Sequence, residues 1–485
     1  MAPEWLNQYK EPRTEIRFIK GGYYKYAVSY KYDPSIKRTR KVSGDLLGKI
    51  TEHGGFAPSS KNTLRSKAVF RHSDIKEYGV YLLFVELLKE ELVSLEKVFE
   101  PGILHHLLIA VMFRWSCQSP IKRMPLYHER NFCSEQWMGK GISDKSMSAS
   151  LEKVGFDREK VVSWMRGNMR KPNQKFILMD STNTFSYSEK LHINEVGYNP
   201  QHQYDPQINL MYLFSAELQQ PAYYRLVPGN IREVKAMKLC VEESSLQQVV
   251  LIADKGFYSK DNILALEQEK LDYIIPLRRN NALIDYAPLQ KANFKKGMEG
   301  YFMHEKKVIW YYDYAKDGQQ VITFLDEQAR VNEQADYISR IQSHPEKYNQ
   351  QQLMDKQAEF GTLTLVYKLA ESAAPADIYA TYKIRGEIET MFDAYKTTLK
   401  ADRTFMQNRM VLEGWLMANF IAMIAYYKLY YKLKKQKLLK KYSPKDIIEI
   451  GKGIFKLKVN NEWKSAEITV KNKDLLKKLG IDYLT

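Results

Sequence analysis

At 485 residues, with 44% hydrophobic and 27% charged side chains, the chain is too long for one hydrophobic core and too apolar for a disordered class, so two to four folded units are predicted. Lys and Arg number 74 against 57 Asp and Glu, a net charge of +17 that favours a polyanionic partner, nucleic acid first, over a basic but otherwise ordinary enzyme. Three cysteines (Cys117, Cys133, Cys240) without CxxC spacing exclude a disulfide framework and a cysteine-based zinc site, and they fit a reducing cytoplasm.

The N-terminus lacks the basic-then-apolar layout of a secretory signal. From Glu15 to Phe56 the text alternates, with Gly-Gly and Asp-Pro as turn signals, and predicts a small basic β-meander. From Ser73 to about Met169 the period turns helical: IKEYGVYLLFVELLKEEL, GILHHLLIAVMFRW after Pro101, and SDKSMSASLEKVG closed by Gly155. The last of these carries basic and hydroxyl side chains that suit a DNA groove, without a helix-turn-helix signature. His105 and His106 point to different faces of their helix, and His128 and Cys133 lack partners at zinc spacing, so packing is the expectation for all four.

After Lys171-Pro172 come short, nearly continuous apolar runs: FILMD, INLMYLFSAEL, PAYYRLVPGN, VVLIAD and LDYIIPL. Helical segments from Ile231 to about Leu246 and from Ser259 to about Glu269 separate the later ones. Three strands joined by hairpins and two by crossovers predict a mixed sheet. Irregular and then β-like text from Arg278 to about Tyr367 reads as an insertion. Strong helices follow, from Tyr379 to about Lys396 and from Asn408 to Lys441, and a Lys-rich tail of mixed pattern ends the sequence. The uncharged apolar stretch from Gly414 to Tyr427 is short for a bilayer and predicts a buried helix, with no membrane role.

Two apolar runs end in a carboxylate, Asp180 and Asp254. Strand ends beside a crossover are where ligands gather in open α/β sheets, although an Asp there can equally cap a turn. Gly256 and Ser259 fix the corner after Asp254, a placement that suits a ligand to a hard cation such as Mg²⁺. Two carboxylates alone would also serve as the acid and base of a glycosidase. The helix from Tyr379 separates these readings: Tyr382, Arg385, Glu389 and Lys396 are spaced 3, 4 and 7 apart and share one face, beside an apolar face of Ile384, Ile388, Met391 and Tyr395.

Tyr382-x2-Arg385-x3-Glu389-x6-Lys396 matches without deviation the tyrosine-arginine-glutamate-lysine signature of one large group of bacterial insertion-sequence transposases, which the chain therefore resembles. Asp254-Lys255-Gly256-Phe257-Tyr258 is similar to that group's second-aspartate motif. The resemblance implies an α+β multidomain protein: a ribonuclease-H-like mixed-sheet catalytic domain with a β-rich insertion, preceded by the β-meander and a helical domain. Expected boundaries are 1–72 for the meander, 73–170 for a helical DNA-binding or dimerisation domain, 171–277 and 368–441 for the two catalytic parts, 278–367 for the insertion and 442–485 for the tail. Asp180, Asp254 and Glu389 are implied as catalytic residues and as ligands of two Mg²⁺ ions, with Mn²⁺ as a substitute, because three clustered carboxylates repel unless cations neutralise them.

Tyr382, Arg385 and Lys396 are expected to contact DNA phosphates or the cleaved end. Seven lysines and no acids between Lys428 and Lys441 suggest a phosphate-tracking surface carried by Lys428, Lys432 and Lys435. Trp310, in the insertion, is the aromatic that would stack a flipped base, as in some relatives, or simply fill a strand core. The implied activity is a DNA transposase that binds terminal inverted repeats, cleaves both ends and joins them to target DNA, as a homodimer on double-stranded DNA, in the bacterial cytoplasm and at the nucleoid when bound. An endonuclease without strand transfer and an inactive DNA-binding regulator are the alternatives, although all three acids are present.

Overall fold

The computed structural model describes residues 3–33, 38–59, 74–137, 142–170, 174–197, 199, 203–231, 233–291 and 293–482. Pro34 of the Asp-Pro turn signal, Ser73 and the Lys171-Pro172 boundary lie outside them. The chain divides into two compact units, Met1–Asp74 and Ile75–Thr485.

The first unit is an antiparallel sheet in the order β1-β2-β3-β4, from Thr14–Ile19, Gly22–Asp33, Arg38–Thr51 and Gly55–Pro58. Its core is small, with Leu6, Val28 and Ile50 buried. Gly48 is required here, since a Cβ would stand 2.3 Å from the Ala57 carbonyl oxygen of the neighbouring strand.

The second unit begins with β5 (Ile75–Glu77) and a helical block: α1 (Gly79–Leu87), α2 (Lys89–Glu96), α3 (Pro101–Cys117), α4 (Met124–Arg130), α5 (Asp144–Phe156) and α6 (Arg158–Met169). The sheet strands follow: β6 (Phe176–Ser186), β7 (Gln207–Ser215), β8 (Gln220–Pro228), then α7 (Glu233–Ser244), β9 (Val250–Ala253), α8 (Lys260–Gln268) and β10 (Asp272–Pro276). After these come β11 (Gly300–His304), β12 (Lys307–Lys316), β13 (Gln319–Asp326), α9 (Glu327–Ser343) and β14 (Thr362–Lys368). The chain closes with α10 (Pro375–Lys383), α11 (Gly386–Asp393), the short β15 (Arg403–Thr404), α12 (Arg409–Lys435), α13 (Pro444–Lys452), β16 (Phe455–Val459), β17 (Glu462–Ser465) and α14 (Val470–Lys478).

One large mixed sheet organises this unit, in the order β11-β12-β13-β14-β10-β9-β6-β7-β8, with β15 alongside β6. β6, β9 and β10 are mutually parallel at the centre, and the flanking pairs are antiparallel. The strands read as an insertion from sequence thus continue the same sheet, since β14 pairs with β10 over Tyr273–Pro276. Non-local register of this kind leaves no trace in local periodicity.

The helix α12 is long and apolar enough to cross a membrane by length and composition alone, yet it is buried through most of its length. It packs on α3, α5 and β8. Two glycines permit the approach to α5: a Cβ on Gly155 would fall 1.9 Å from the Met410 carbonyl oxygen, and one on Gly414 2.0 Å from that of Leu151. Gly155, expected to close its helix, lies inside α5 and serves this contact instead. The tail returns to the start of the unit, where β16 pairs antiparallel with β5 and α13 packs on α1.

Candidate active site

Asp180 and Asp254 are brought side by side by the parallel pairing of β6 with β9, which runs from Phe176↔Val250 to Met179↔Ala253. Each aspartate is the next residue of its chain. β9 stops at Ala253, and Asp254 opens a single 3₁₀ turn, Lys255–Phe257. That corner is pinned. The Phe257 N–H donates to the Asp254 carbonyl (3.0 Å), Ser259 caps α8 through the Asn262 N–H (3.1 Å), and the buried Asn262 amide donates back to the Phe257 carbonyl (2.8 Å).

β6, in contrast, does not end at Asp180 as expected, but continues to Ser186. The polar residues STNTFS follow the apolar run, and β7 pairs with them as far as Phe185, with Thr182, Asn183, Thr184 and Ser186 buried. Asp180 is therefore a mid-strand residue, at the point where the parallel neighbour leaves.

The helix expected from Tyr379 to about Lys396 is broken. α10 ends at Lys383 and α11 starts at Gly386, with short i→i−3 bonds across the join, among them Arg385 N–H to Tyr382 carbonyl (3.0 Å) and Glu387 N–H to Ile384 carbonyl (2.9 Å). Ala394–Thr398 then forms a π turn that carries Lys396. Ile388, Met391 and Tyr395 are buried as the apolar face.

This join delivers the Arg385 guanidinium among the three acids. Its Nη1 lies 3.3 Å from Asp180 Oδ2 and 3.5 Å from Asp254 Oδ1, and its Nη2 donates to Glu389 Oε1, one turn further along. Arg385 and Asp180 are 17% and 16% exposed, whereas Asp254 and Glu389 open to 32% and 57%. The negative charge is thus concentrated at a solvent-facing opening. Burial would lower the Arg385 pKa, but Asp254, Tyr382, Asp180 and Glu389 together outweigh it and raise it. Burial raises that of the Tyr382 phenol, with Asp254 adding to the effect, so it stays protonated and able to donate.

Lys396 reaches a different point of β6, donating to Asn183 Oδ1 (3.1 Å), and burial lowers its pKa. Two cavities share Lys255 and Arg278 as walls. One, of about 950 Å³, is lined by Asn183, Asn209, Lys260 and Lys396, and the other, of about 750 Å³, by Asp254, Arg279, Tyr382 and Arg385. Sequence reasoning missed Asn183, Lys255 and Arg278. For Lys255 a signal existed in its adjacency to Asp254, and for Arg278 in the basic pair that follows β10.

Among the described residues, no three His, Cys, Asp or Glu side chains are gathered closely enough to hold a metal ion. The expected metal set Asp180, Asp254 and Glu389 converges on the Arg385 guanidinium. Three of the four expected DNA contacts outside the site, Lys428, Lys432 and Trp310, are engaged within the protein. Lys428 ion-pairs with Glu91 (2.6 Å), itself 1% exposed, and Lys432 donates to the Leu479 carbonyl (2.9 Å) behind α14. Lys435 is exposed. Trp310 donates to Glu327 (2.6 Å) and packs beside Tyr301, with the Lys295 ammonium 5.1 Å from its ring, in a satellite core of Leu289, Tyr312 and Leu325.

A family model described as a transposase DDE domain matches residues 171–425. No curated protein matches the sequence. Among solved structures, a piggyBac transposase in a synaptic complex with hairpin DNA shows a distant likeness: 10% identity, a TM-score of 0.40, and coverage of 73% of this chain and 70% of that one. The matched residues span more than half of the chain and include β6, β9 and α11 with all three acids, and the chain belongs to the DDE transposase family.

Proposed function

We propose that the protein is the transposase of a bacterial insertion sequence, of the group whose signature runs Tyr382, Arg385, Glu389 and Lys396. It binds the terminal inverted repeats of its element, cleaves them and joins them to target DNA, acting as a homodimer. In this reading the sheet centre is a ribonuclease-H-like domain formed by 171–277 and 368–441, interrupted by 278–367, with 73–170 contributing DNA contacts or the dimer interface. The observation that carries the proposal is the convergence of Asp180, Asp254 and Glu389 on one guanidinium.

DDE transposases use divalent metal ions, and the chemistry of the donor set suits them: three hard carboxylate groups surround a position that the Arg385 guanidinium fills, and that guanidinium would have to turn aside for the acids to close on an ion. Asp180, Asp254 and Glu389 would hold the ions, which we take to be two Mg²⁺, replaceable by Mn²⁺. When bound, such ions polarise a phosphodiester and favour deprotonation of an attacking water or 3′-hydroxyl. The chain's own groups do the positioning. Arg385 offers a fork that fits a phosphate as well as a carboxylate, and it can turn from one to the other. Lys396 adds a point charge on the Asn183 side, and the Tyr382 hydroxyl donates a hydrogen bond to a phosphate oxygen or to the cleaved end. Of the lysines beyond the site, Lys435 is retained as a phosphate contact.

The test is purified full-length protein with Mg²⁺ or Mn²⁺, DNA carrying the sequences that flank the coding region, and a supercoiled target. The expected result is end cleavage followed by a joined product. Cleavage that never yields a joined product would overturn the proposal in favour of a nuclease.

A further inference from the structure

The hairpin of β2 and β3 has an outer half that no core supports. From Ser29 to Tyr32 on one strand and from Arg38 to Asp45 on the other, every residue is exposed, so both faces of this two-stranded ribbon meet water. A ribbon without a buried face gains little from packing, and its side chains answer to another demand. Register and alternation sort them. Ser29 faces Val42, Lys31 faces Arg40 and Asp33 faces Arg38, all on one side, while Tyr30 with Lys41 and Tyr32 with Thr39 occupy the other.

The first side places Lys31 and Arg40 directly opposite, a like-charge pair that weakens a free hairpin. Asp33 lies 3.4 Å from Arg40 and offsets part of the charge, which leaves this side positive among the described residues. On the second side Lys41 is already matched, 3.1 Å from Glu15, which Arg17 also contacts. Among the described residues, net positive charge therefore collects on one side of a narrow, exposed ribbon.

We propose that this ribbon docks in the major groove of double-stranded DNA through the side bearing Lys31, Arg38 and Arg40. A two-stranded ribbon fits the B-form major groove, about 12 Å wide, where Arg and Lys meet guanine acceptors and flanking phosphates. The A-form major groove of duplex RNA is too narrow to admit it. The assignment concerns DNA capture and is independent of the carboxylate site.

The experiment is equilibrium binding of a fluorescent duplex of mixed sequence to the full-length protein, without divalent cations, over a range of salt. Substituting Lys31→Gln, Arg38→Gln and Arg40→Gln together is expected to weaken binding about tenfold or more and to flatten the log–log salt dependence by about 2 to 3. Unchanged affinity and slope overturn the proposal. Acetylation footprinting of the unaltered protein keeps the test independent of variant folding. Bound duplex should protect Lys31 and leave Lys41 reactive; an unprotected Lys31, or displacement of the DNA by duplex RNA at equal concentration, overturns it. An Asp180→Asn variant should bind the duplex normally, which separates failure here from failure of the catalytic reading.

Discussion

Two charge clusters in the large unit, one around Arg385 and one around Glu243, have opposite charge ratios. At Arg385 three carboxylates share one guanidinium, and the acids open toward solvent. At Glu243 two guanidiniums share one carboxylate. Arg158 and Arg225 each stand 3.0 Å from its Oε2, Tyr223 donates to it, Arg166 holds the Glu243 carbonyl, and all of this ties α6 and α7 to β8. Burial would raise the Glu243 pKa, but Arg158, Tyr223 and Arg225 outweigh it and lower it, while burial pushes the neighbouring Glu413 up. Excess cations around one acid make a clamp. Excess acids around one cation make a site that still calls for positive charge, and the second arrangement costs stability where the first contributes it.

The sharpest way to break this contrast is to remove one acid from each cluster. Glu243→Gln leaves two partly buried guanidiniums without their anion and should lower stability by about 2–3 kcal/mol, read as a fall in denaturant midpoint. Asp254→Asn relieves repulsion and should leave the midpoint unchanged or raised by up to about 1 kcal/mol. Equal losses would erase the distinction between clamp and site.

A third carboxyl, Glu77 on β5, has no arginine partner among the described residues. Burial pushes its pKa up to about 7, against the opposing influence of Lys452 and of the Asn131 amide, which donates to it at 3.1 Å. Because the folded pKa exceeds the unfolded one, the fold binds the extra proton. Stability from this group is full below about pH 4.5 and is lost as pH rises through about 7. Between pH 5 and 8 the natural chain should lose on the order of 2 kcal/mol that Glu77→Gln retains, and parallel stability curves for the two proteins would contradict this.

A smaller effect is expected from Arg385→Gln. Removing the resident cation should tighten Mn²⁺ binding to the DNA-free protein about fivefold, roughly 1 kcal/mol, measured by calorimetry. Weaker binding would mean that Arg385 orders the acids for the ion rather than competing with it.

Much of the site was legible because it rests on local text. The apolar runs before Asp180 and Asp254, the Gly256 turn, the Ser259 cap and the spacing of Arg385 and Glu389 all predict their geometry from neighbours in sequence. What was not legible depends on distant partners. β6 continues through polar residues because β7 and β15 are there to pair with them. The partner of Lys428, Glu91, lies far away in sequence, so the run of lysines does not show it. Gly155 reads as a helix stop, whereas α12 needs it as a contact surface. The break at Ile384 and Arg385 and the π turn at Lys396 are also hidden, since a single tightened or widened turn barely disturbs the apolar spacing along a helix. The break has the larger consequence, because it sets the guanidinium among the acids.

In the proposed reading, Asp180, Asp254 and Glu389 act as one cation-dependent site for DNA strand chemistry. It is tested most directly by measuring cleavage of end-containing DNA in Mn²⁺ for Asp180→Asn, Asp254→Asn and Glu389→Gln beside the natural chain, with DNA binding checked for each. Every variant is expected to bind DNA and to lose about three orders of magnitude or more in cleavage rate. A variant that binds and cleaves at the natural rate would contradict it.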